Sequence, residues 1–287
     1  ESTLAQIYKR RNPLGHSYGG PAYYIETAMH QRWLGVLFAF ALIVTYAGGF
    51  NLLCSFNMQS TFLVYSFYDP TTTPWIIGAV FAALVAYCLI GGGQRIIKVT
   101  SVLVPVMGGV YILAALIVIL FHITSLPQVF AMIFADAFDF QSILGGISGS
   151  CMIYGIKRGL YSNEAGIGSA PNAAAAADVS HPVKQGLVQM LSVFIDTLLV
   201  CSATAFMGLF SGVPITKEVA GAAYVQNAAS AVFGGFGPLL ITICMLLFGF
   251  STLIGNLFYV DNCIRFIHKG APSHGFVNTF RIVCVLV

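Results

Sequence analysis

Four polar residues stand close together in a stretch of the chain that is otherwise apolar. Lys157, Arg158, Asn163 and Glu164 lie within GIKRGLYSNEAGIGSAPNAAAAA, residues 155–177, where glycines interrupt the helical pattern. A helix that unwinds inside a bilayer leaves backbone N–H groups free to bind a carboxylate and C=O groups free to bind a bare cation. The residue types and their spacing therefore predict a solute-binding site, with Arg158 and Glu164 as charges inside the membrane.

The composition indicates the class of protein. Hydrophobic residues make up 57% of the 287 residues, charged residues make up 8%, and the mean hydropathy is +0.85. Soluble domains carry roughly 25% charged residues. Apolar segments near or above the ~20 residues that a helix needs to cross a hydrocarbon core predict an all-α polytopic membrane protein. Six such segments cover residues 33–62, 74–92, 101–122, 142–177, 187–211 and 236–262, and a truncated seventh begins near Phe276.

Charge placement predicts the orientation of the chain. With residues 1–32 as a cytoplasmic connector and 33–287 as the transmembrane bundle, the basic residues gather on one side, as the positive-inside rule requires. We expect a location in the plasma (inner) membrane, and topology explains the net charge of +3 without a nucleic-acid partner. Because the chain begins at Glu1 rather than Met, we expect a fragment that lacks terminal helices. The basic residues on the cytoplasmic side are Lys9, Arg10, Arg11, Arg32, Arg95, Lys98, Lys184, Arg265, Lys269 and Arg281.

The fourth apolar segment is predicted to contain a discontinuous helix. Its uninterrupted apolar part, Ile143–Ile156, is about 14 residues and ~21 Å long, which is short of the ~30 Å hydrocarbon core. Ala165–Ala177 predicts a second short helix, and the two halves are expected to meet at Lys157–Glu164. The alternative is a helix that ends near Ile156 and is followed by a cytoplasmic loop. We prefer the break, because GIGSAPNAAAAA is too apolar and too helix-prone for a solvated loop.

The sixth span offers oxygen ligands for a cation. Its segment GFSTLIGN carries the hydroxyl groups of Ser251 and Thr252, with the Phe248 carbonyl one turn earlier. Hard oxygen ligands of this kind suit Na⁺ when another helix completes the coordination shell. Alternatively, both hydroxyl groups bond back to carbonyls of their own helix, as Ser and Thr usually do in membrane helices. The sequence leaves both interpretations open.

Asp196 is an acid near the middle of the fifth span. A lone carboxylate in lipid is costly, so it is expected to face the bundle interior and to pair with Arg158 or Lys157. A role in cation coupling is the other interpretation of the same residue.

Several other functions lack the residues that they require. The seven cysteines lie singly, without a CxxC pair, and the six histidines have no HExxH spacing, so we expect neither a disulfide framework nor a metal centre. Ser162 and Ser169 lie in no GxSxG elbow, which argues against an enzyme. An ion channel would show a repeated filter or rings of like charge, and the sequence has neither.

The same residues carry a resemblance to a known family. RGLYSNEAGIGSAPNAAAAA, with GGPAYYIE, HPVKQG and VFIDTLLVCSATA, closely resembles the alanine or glycine:cation symporters, the sodium:alanine symporters, and the match runs over essentially the whole chain. The resemblance implies two inverted five-helix repeats, a LeuT-like arrangement, with discontinuous first and sixth helices. It also implies that this chain runs from the end of the second helix into the ninth, without the first helix.

The resemblance assigns a substrate-binding set and three departures from the family pattern. Cys54 stands where the family usually has Gln, Phe56 where it has Asn, and Asn256 where it has a Trp that closes the pocket. The substrate-binding residues carried over are Asn51, Gly159, Tyr161, Ser162, Asn163, Gly166 and Thr252, together with Asn256 at its changed position.

What the resemblance implies is a secondary transporter rather than an enzyme. Its expected activity is sodium-coupled symport of a small neutral amino acid of the alanine or glycine type. Because Asn256 replaces an indole by a carboxamide, a more polar amino acid is a further hypothesis. Na⁺ is the expected coupling ion and no other cofactor is expected. A proton-coupled amino-acid transporter is the alternative, and an ion channel is a weaker one.

Overall fold

Long helices form where the sequence is apolar. In a computed structural model, which describes residues 1–13, 15–90, 92–138, 147–164, 166–214, 221–269 and 272–286, four helices are long and apolar enough to cross a membrane. They cover Arg32–Ser60, Arg95–Phe121, Pro182–Ser211 and Phe236–Ile267. Large apolar side chains such as Trp75, 80% exposed, point outward from the helices, as lipid contact requires. The prediction of an all-α membrane protein is confirmed in this respect: the described chain is mainly helical, and four of its helices could cross a membrane.

The described helices are numbered here in chain order. Two of the long helices contain a π-helical segment, at Val44–Phe50 between α3 and α4 and at Asp196–Cys201 between α10 and α11. The bounds are α1 Ser2–Ile7, α2 Pro21–Met29, α3 Arg32–Ile43, α4 Asn51–Ser60, α5 Thr73–Ile90, α6 Gly92–Phe121, α7 Leu126–Ala137, α8 Ile147–Ser162, α9 Ser169–Ala176, α10 Pro182–Ile195, α11 Ser202–Ser211, α12 Ala222–Phe233, α13 Phe236–Ile267 and α14 His274–Leu286.

Two described helices lie where the sequence predicted no span. α7 has Pro127 in its first turn, where the missing N–H costs no hydrogen bond, and α12 carries Gln226 near its middle. Each is 12 residues long, so a search for ~20-residue apolar runs passes over both. The search for long apolar runs therefore missed these two helices, and the number of membrane spans stays a prediction.

Residues 1–32 contain more regular structure than a surface turn. A short antiparallel hairpin, β1 Arg10–Arg11 and β2 Ser17–Tyr18, lies between α1 and α2. The Gly-Gly-Pro sequence at residues 19–21 leads into α2, with Pro21 in its first turn and Gly20 at φ 137°. A side chain at Gly20 would collide with Asn172, so only glycine fits there.

An ion-pair chain anchors the connector. Glu26 pairs with Arg10 at 3.0 Å and with Arg32 at 2.7 Å. Arg32 also donates to the Phe266 carbonyl at 3.2 Å, near the last turn of α13. Burial by itself would raise the pKa of Glu26, but the hydrogen bond from Arg32 and the charges of Arg32 and Arg10 outweigh it and lower the pKa. The connector is thereby tied to the ends of α3 and α13.

The last carbonyls of α9 receive donors from the connector. Gln6 Nε2 donates to the Ala174 and Ala177 carbonyls at 2.5 and 2.8 Å, and Lys9 Nζ donates to the Ala177 carbonyl at 2.9 Å. A helix C-terminus leaves four carbonyls without intrahelical partners, so these donors act as a cap supplied from elsewhere in the chain.

The described contacts divide the chain into two compact units. The first comprises Glu1–Met107, Ile167–Leu191 and Ile243–Val287. Its apolar core has one cluster around Tyr46 and Phe266 and another around Leu89 and Ile254. The second unit comprises Gly108–Gly166 and Ser192–Thr242. Within it, the Phe206 ring packs on Phe130 and Phe210, which joins α7 to α11.

Candidate functional site

The helix around the SNEAG block is interrupted, but later than the sequence predicted. α8 continues to Ser162 and α9 begins at Ser169. Lys157 and Arg158 therefore lie in regular helix, and the predicted break at Lys157–Glu164 is corrected to residues 163–168, of which 165 lies outside the described residues. Long unbranched side chains such as Lys and Arg are good helix formers, so these two charges alone do not unwind the backbone.

The break is built from residues with positive φ. Gly166 and Gly168 have φ of 81° and 89°, which glycine adopts at no steric cost. Glu164 has φ of 50°, a conformation that costs an ordinary residue roughly 1–2 kcal/mol. Before the turn, Asn163 still bonds to Gly159, through its backbone N–H at 3.1 Å and its side-chain Nδ2 at 3.0 Å. The helix thus ends in an ordered turn.

In the second unit, the end of α8 meets the π segment at Asp196. Ser162 Oγ donates to Asp196 Oδ2 at 2.7 Å, and Asn163 Nδ2 donates to Thr197 Oγ1 at 3.0 Å. Among the described residues, Asp196 forms no ion pair with Lys157 or Arg158, so the predicted pairing is wrong. The sequence showed an acid at Asp196, but it could not show that the Ser162 hydroxyl group lies closer to this carboxylate than Lys157 or Arg158 does.

In the first unit, two predicted substrate residues contact each other. Asn256 Nδ2 on α13 donates to Asn51 Oδ1 on α4 at 2.9 Å. Asn51 is 6% exposed and Asn256 is 2% exposed. The carboxamide of Asn256 therefore lies in the helix interface with a partner, rather than bordering open space as its small size suggested.

The predicted cation ligands lie together on α13. Ser251 Oγ and Thr252 Oγ1 each donate to the Phe248 carbonyl at 2.9 Å. This is the arrangement that the second interpretation of the sequence described, with the hydroxyl groups bonded to their own helix. The oxygen atoms keep lone pairs, so their role as cation ligands stays a prediction.

The other predicted residues have the following surroundings. Gly159 and Tyr161 accept hydrogen bonds from the turn through their carbonyls, from Asn163 and Glu164 respectively. Gly166 is exposed, and nothing lies within 4 Å of the position where its Cβ would be. Arg158 is exposed on α8.

Two residues that contact the predicted site residues or lie next to them in the chain were not singled out from the sequence. Thr197, which follows Asp196, contacts Asn163, and its only signal was a polar residue beside an acid in an apolar span. Gly249 precedes the predicted cation ligands, and a side chain at this position would collide with Met58, so α4 and α13 pack closely there.

A cavity of about 360 Å³ in the first unit contains none of the predicted residues. It lies beside the hairpin and the end of α13, and its lining includes Asp178 and Asp261. Asp178 pairs with Arg11 at 3.4 Å and Asp261 pairs with Arg281, so both carboxylates are already neutralised.

Comparison with known proteins identifies the family. Residues 1–287 match the sodium:alanine symporter family. The chain belongs to this family. The family resemblance seen in the sequence is thereby confirmed.

Curated relatives that the chain resembles are longer than the chain itself. The amino-acid carrier protein AlsT of Bacillus subtilis (strain 168) is 42% identical over 99% of this chain and 59% of its own length. The probable sodium/glutamine symporter GlnT of the same organism is 42% identical over 94% of this chain and 55% of its own. The sodium/alanine symporter AgcS of Methanococcus maripaludis is 34% identical over 100% of this chain and 63% of its own. The chain thus spans less than two thirds of these relatives.

Proposed function

We propose that the full protein containing this chain is a secondary transporter that couples Na⁺ entry to uptake of a small neutral amino acid. Membership of the sodium:alanine symporter family is the observation that carries this proposal. The interrupted helix at residues 163–168 supports it, because broken membrane helices commonly expose the backbone groups that bind ions and zwitterions.

The proposed roles follow the helix ends and the oxygen ligands. A helix N-terminus, as at Ser169, favours the substrate carboxylate, and a helix C-terminus, as at Ser162, favours positive charge. Ser251 and Thr252 supply hydroxyl oxygens for Na⁺. The residues proposed to bind the amino acid are Asn51, Gly159, Tyr161, Ser162, Asn163, Gly166, Thr252 and Asn256.

The test is uptake by the full-length protein in liposomes. We expect an inward Na⁺ gradient to drive accumulation of labelled alanine or glycine, and an equal K⁺ gradient to give only background. Uptake driven by a pH gradient and indifferent to Na⁺ would replace sodium coupling by proton coupling. Ion flux without solute accumulation would indicate a channel and refute the proposal.

A more polar substrate is the second candidate. The departure at Asn256 supports it, because a carboxamide brings a hydrogen-bonding group where the resemblance implies an apolar indole, and opening of the Asn51–Asn256 pair would free that group for the substrate. The name of GlnT associates that 42% identical relative with glutamine. Competition by each of the twenty amino acids tests this choice. Strict selectivity for alanine and glycine would refute it.

The proposed orientation places residues 1–32 in the cytoplasm and the chain in the plasma (inner) membrane. Single cysteines at exposed Thr27 and Ser66, in a background without native cysteines, test the orientation in intact cells. We expect a membrane-impermeant thiol reagent to label S66C and to spare T27C. The reverse pattern would invert the orientation.

A further inference from the structure

Among the residues that the structure describes, no cation pairs with the carboxylate of Asp196, which lies in an apolar helix. Asp196 lies near the middle of Pro182–Ser211, one of the four helices with the length and composition of a membrane span. Across the described ranges of the chain, its hydrogen-bonding neighbours are the Ser162 hydroxyl at 2.7 Å and the Cys201 thiol at 4.0 Å. Neither neighbour carries a positive charge. An ionised carboxylate in such a helix requires compensation by a cation or by protonation.

The C-terminus of α8 adds negative potential at the same place. α8 is 16 residues long and ends at Ser162, the residue that donates to Asp196. Aligned peptide dipoles give a helix C-terminus a partial negative charge of about half an elementary charge. The carboxylate and the helix end therefore both favour a cation, and they come from different elements of the second unit.

Both elements bring side-chain oxygen atoms into contact next to this negative potential. Adjacent residues of α8 and the turn, Ser162 and Asn163, face adjacent residues of the π segment, Asp196 and Thr197. Thr197 Oγ1 lies 3.2 Å from Asn163 Oδ1. One carboxylate, one carboxamide and two hydroxyl groups form a set of hard ligands, which suits an alkali cation.

We propose that Ser162, Asn163, Asp196 and Thr197 bind a monovalent cation, Na⁺, at a site made of different residues from Phe248, Ser251 and Thr252. The charge count favours a monovalent ion, because a single carboxylate neutralises a single positive charge, whereas Ca²⁺ sites usually use several carboxylates. No group of three or more His, Cys, Asp or Glu side chains suited to a metal ion occurs among the described residues, which disfavours a transition metal. The site rests on the proposed function only for the choice of Na⁺.

Cys201 provides a local probe that does not depend on transport. Its thiol lies 3.5 Å from Ser162 Oγ, and the residue is exposed. In purified full-length protein that retains Cys201 as its only cysteine, we expect Na⁺ to slow modification by a small thiol reagent. An equal concentration of choline, which is too large for the site, should have no effect. The rate as a function of Na⁺ concentration gives an apparent dissociation constant.

Three variants test whether these residues bind Na⁺ or only stabilise the structure. Asp196→Asn keeps the shape and can still accept from Ser162 but removes the charge, so we expect the Na⁺ dissociation constant to rise at least about tenfold. Ser162→Ala removes one ligand and should raise it by a smaller factor. Ser211→Ala, on the same long helix but bonded to Gly208, is the matched control and should leave it unchanged. Elution as a single species and an unchanged melting temperature show that each variant is folded.

The results distinguish this site from the proposed function as a whole. Unaltered protection of Cys201 by Na⁺ in folded Asp196→Asn overturns the site, whatever drives uptake. Cys201 reactivity that is indifferent to Na⁺ in the wild type at a fixed pH also overturns it. Uptake that ignores Na⁺ overturns sodium coupling, even where Na⁺ still protects Cys201.

Discussion

Asn256 and Asn51 form a hydrogen bond of 2.9 Å between two buried carboxamides, one on α13 and one on α4. A buried amide that loses its partner retains the cost of its desolvation, so this pair couples the stability of the two helices.

Replacing Asn256 by Leu should destabilise the protein by about 1–3 kcal/mol, because Asn51 Oδ1 would be left buried without its donor. Thermal unfolding in detergent measures the change. The double variant Asn51→Leu/Asn256→Leu should lose less than the sum of the single variants, since no polar group is left unpaired. Additive losses would show that the hydrogen bond does not couple the two positions.

Replacing Gly249 by Ala should also destabilise, by about 1–3 kcal/mol, because the new methyl group collides with Met58. Met58→Ala in the same chain should recover part of that loss by vacating the space. Gly78→Ala on α5 is the matched control, since nothing lies within 4 Å of its Cβ position. A Gly249→Ala protein with wild-type stability would mean that α4 and α13 can separate freely there.

Acid should weaken the connector through Glu26. Burial by itself raises the pKa of this carboxyl, but Arg32 and Arg10 lower it overall. A carboxyl with a lowered folded-state pKa stabilises the fold above its ordinary value of 4.5 and loses that contribution as the pH falls through the lowered value. Between pH 7 and pH 3, Glu26→Gln should therefore lose less melting temperature than the wild type. Arg32→Gln should likewise lose less melting temperature than the wild type over this pH range, because Arg32 lowers the pKa of Glu26. Equal losses in all three proteins would contradict the assignment of this acid sensitivity to Glu26.

Gln6→Ala should loosen the end of α9. The substitution removes two donors to the Ala174 and Ala177 carbonyls, each hydrogen bond contributing about 0.5–1.5 kcal/mol. Hydrogen exchange measured by mass spectrometry should show faster exchange in peptides covering α9. Ile7→Ala, at the exposed end of α1, is the control. Unchanged exchange in α9 would show that Lys9 alone caps the helix.

The joint substitution Ser251→Ala/Thr252→Ala should abolish sodium dependence of uptake without unfolding the protein. Both hydroxyl groups bond to a carbonyl of their own helix, so their loss leaves the backbone ladder of α13 intact. Uptake at increasing Na⁺ concentration and the melting temperature are the two measurements. Retained sodium stimulation would exclude these hydroxyl groups as ligands.

The sequence predicted the helices wherever apolar runs were long. It located the break only approximately, because charged residues suggested an interruption at Lys157, whereas α8 continues to Ser162 and the positive φ values come later, at Glu164, Gly166 and Gly168. Periodicity and composition do not show which side chains meet across helices. For that reason the pairing of Asn51 with Asn256 and of Ser162 with Asp196 could be seen only in the structure.

The cap that Gln6 and Lys9 provide has a mechanical consequence for α9. The opposite end begins beside Gly168, where an added side chain would collide with Phe38 and Pro21. Because residues near the N-terminus hold both ends of this short helix, α9 is expected to move together with the connector rather than alone.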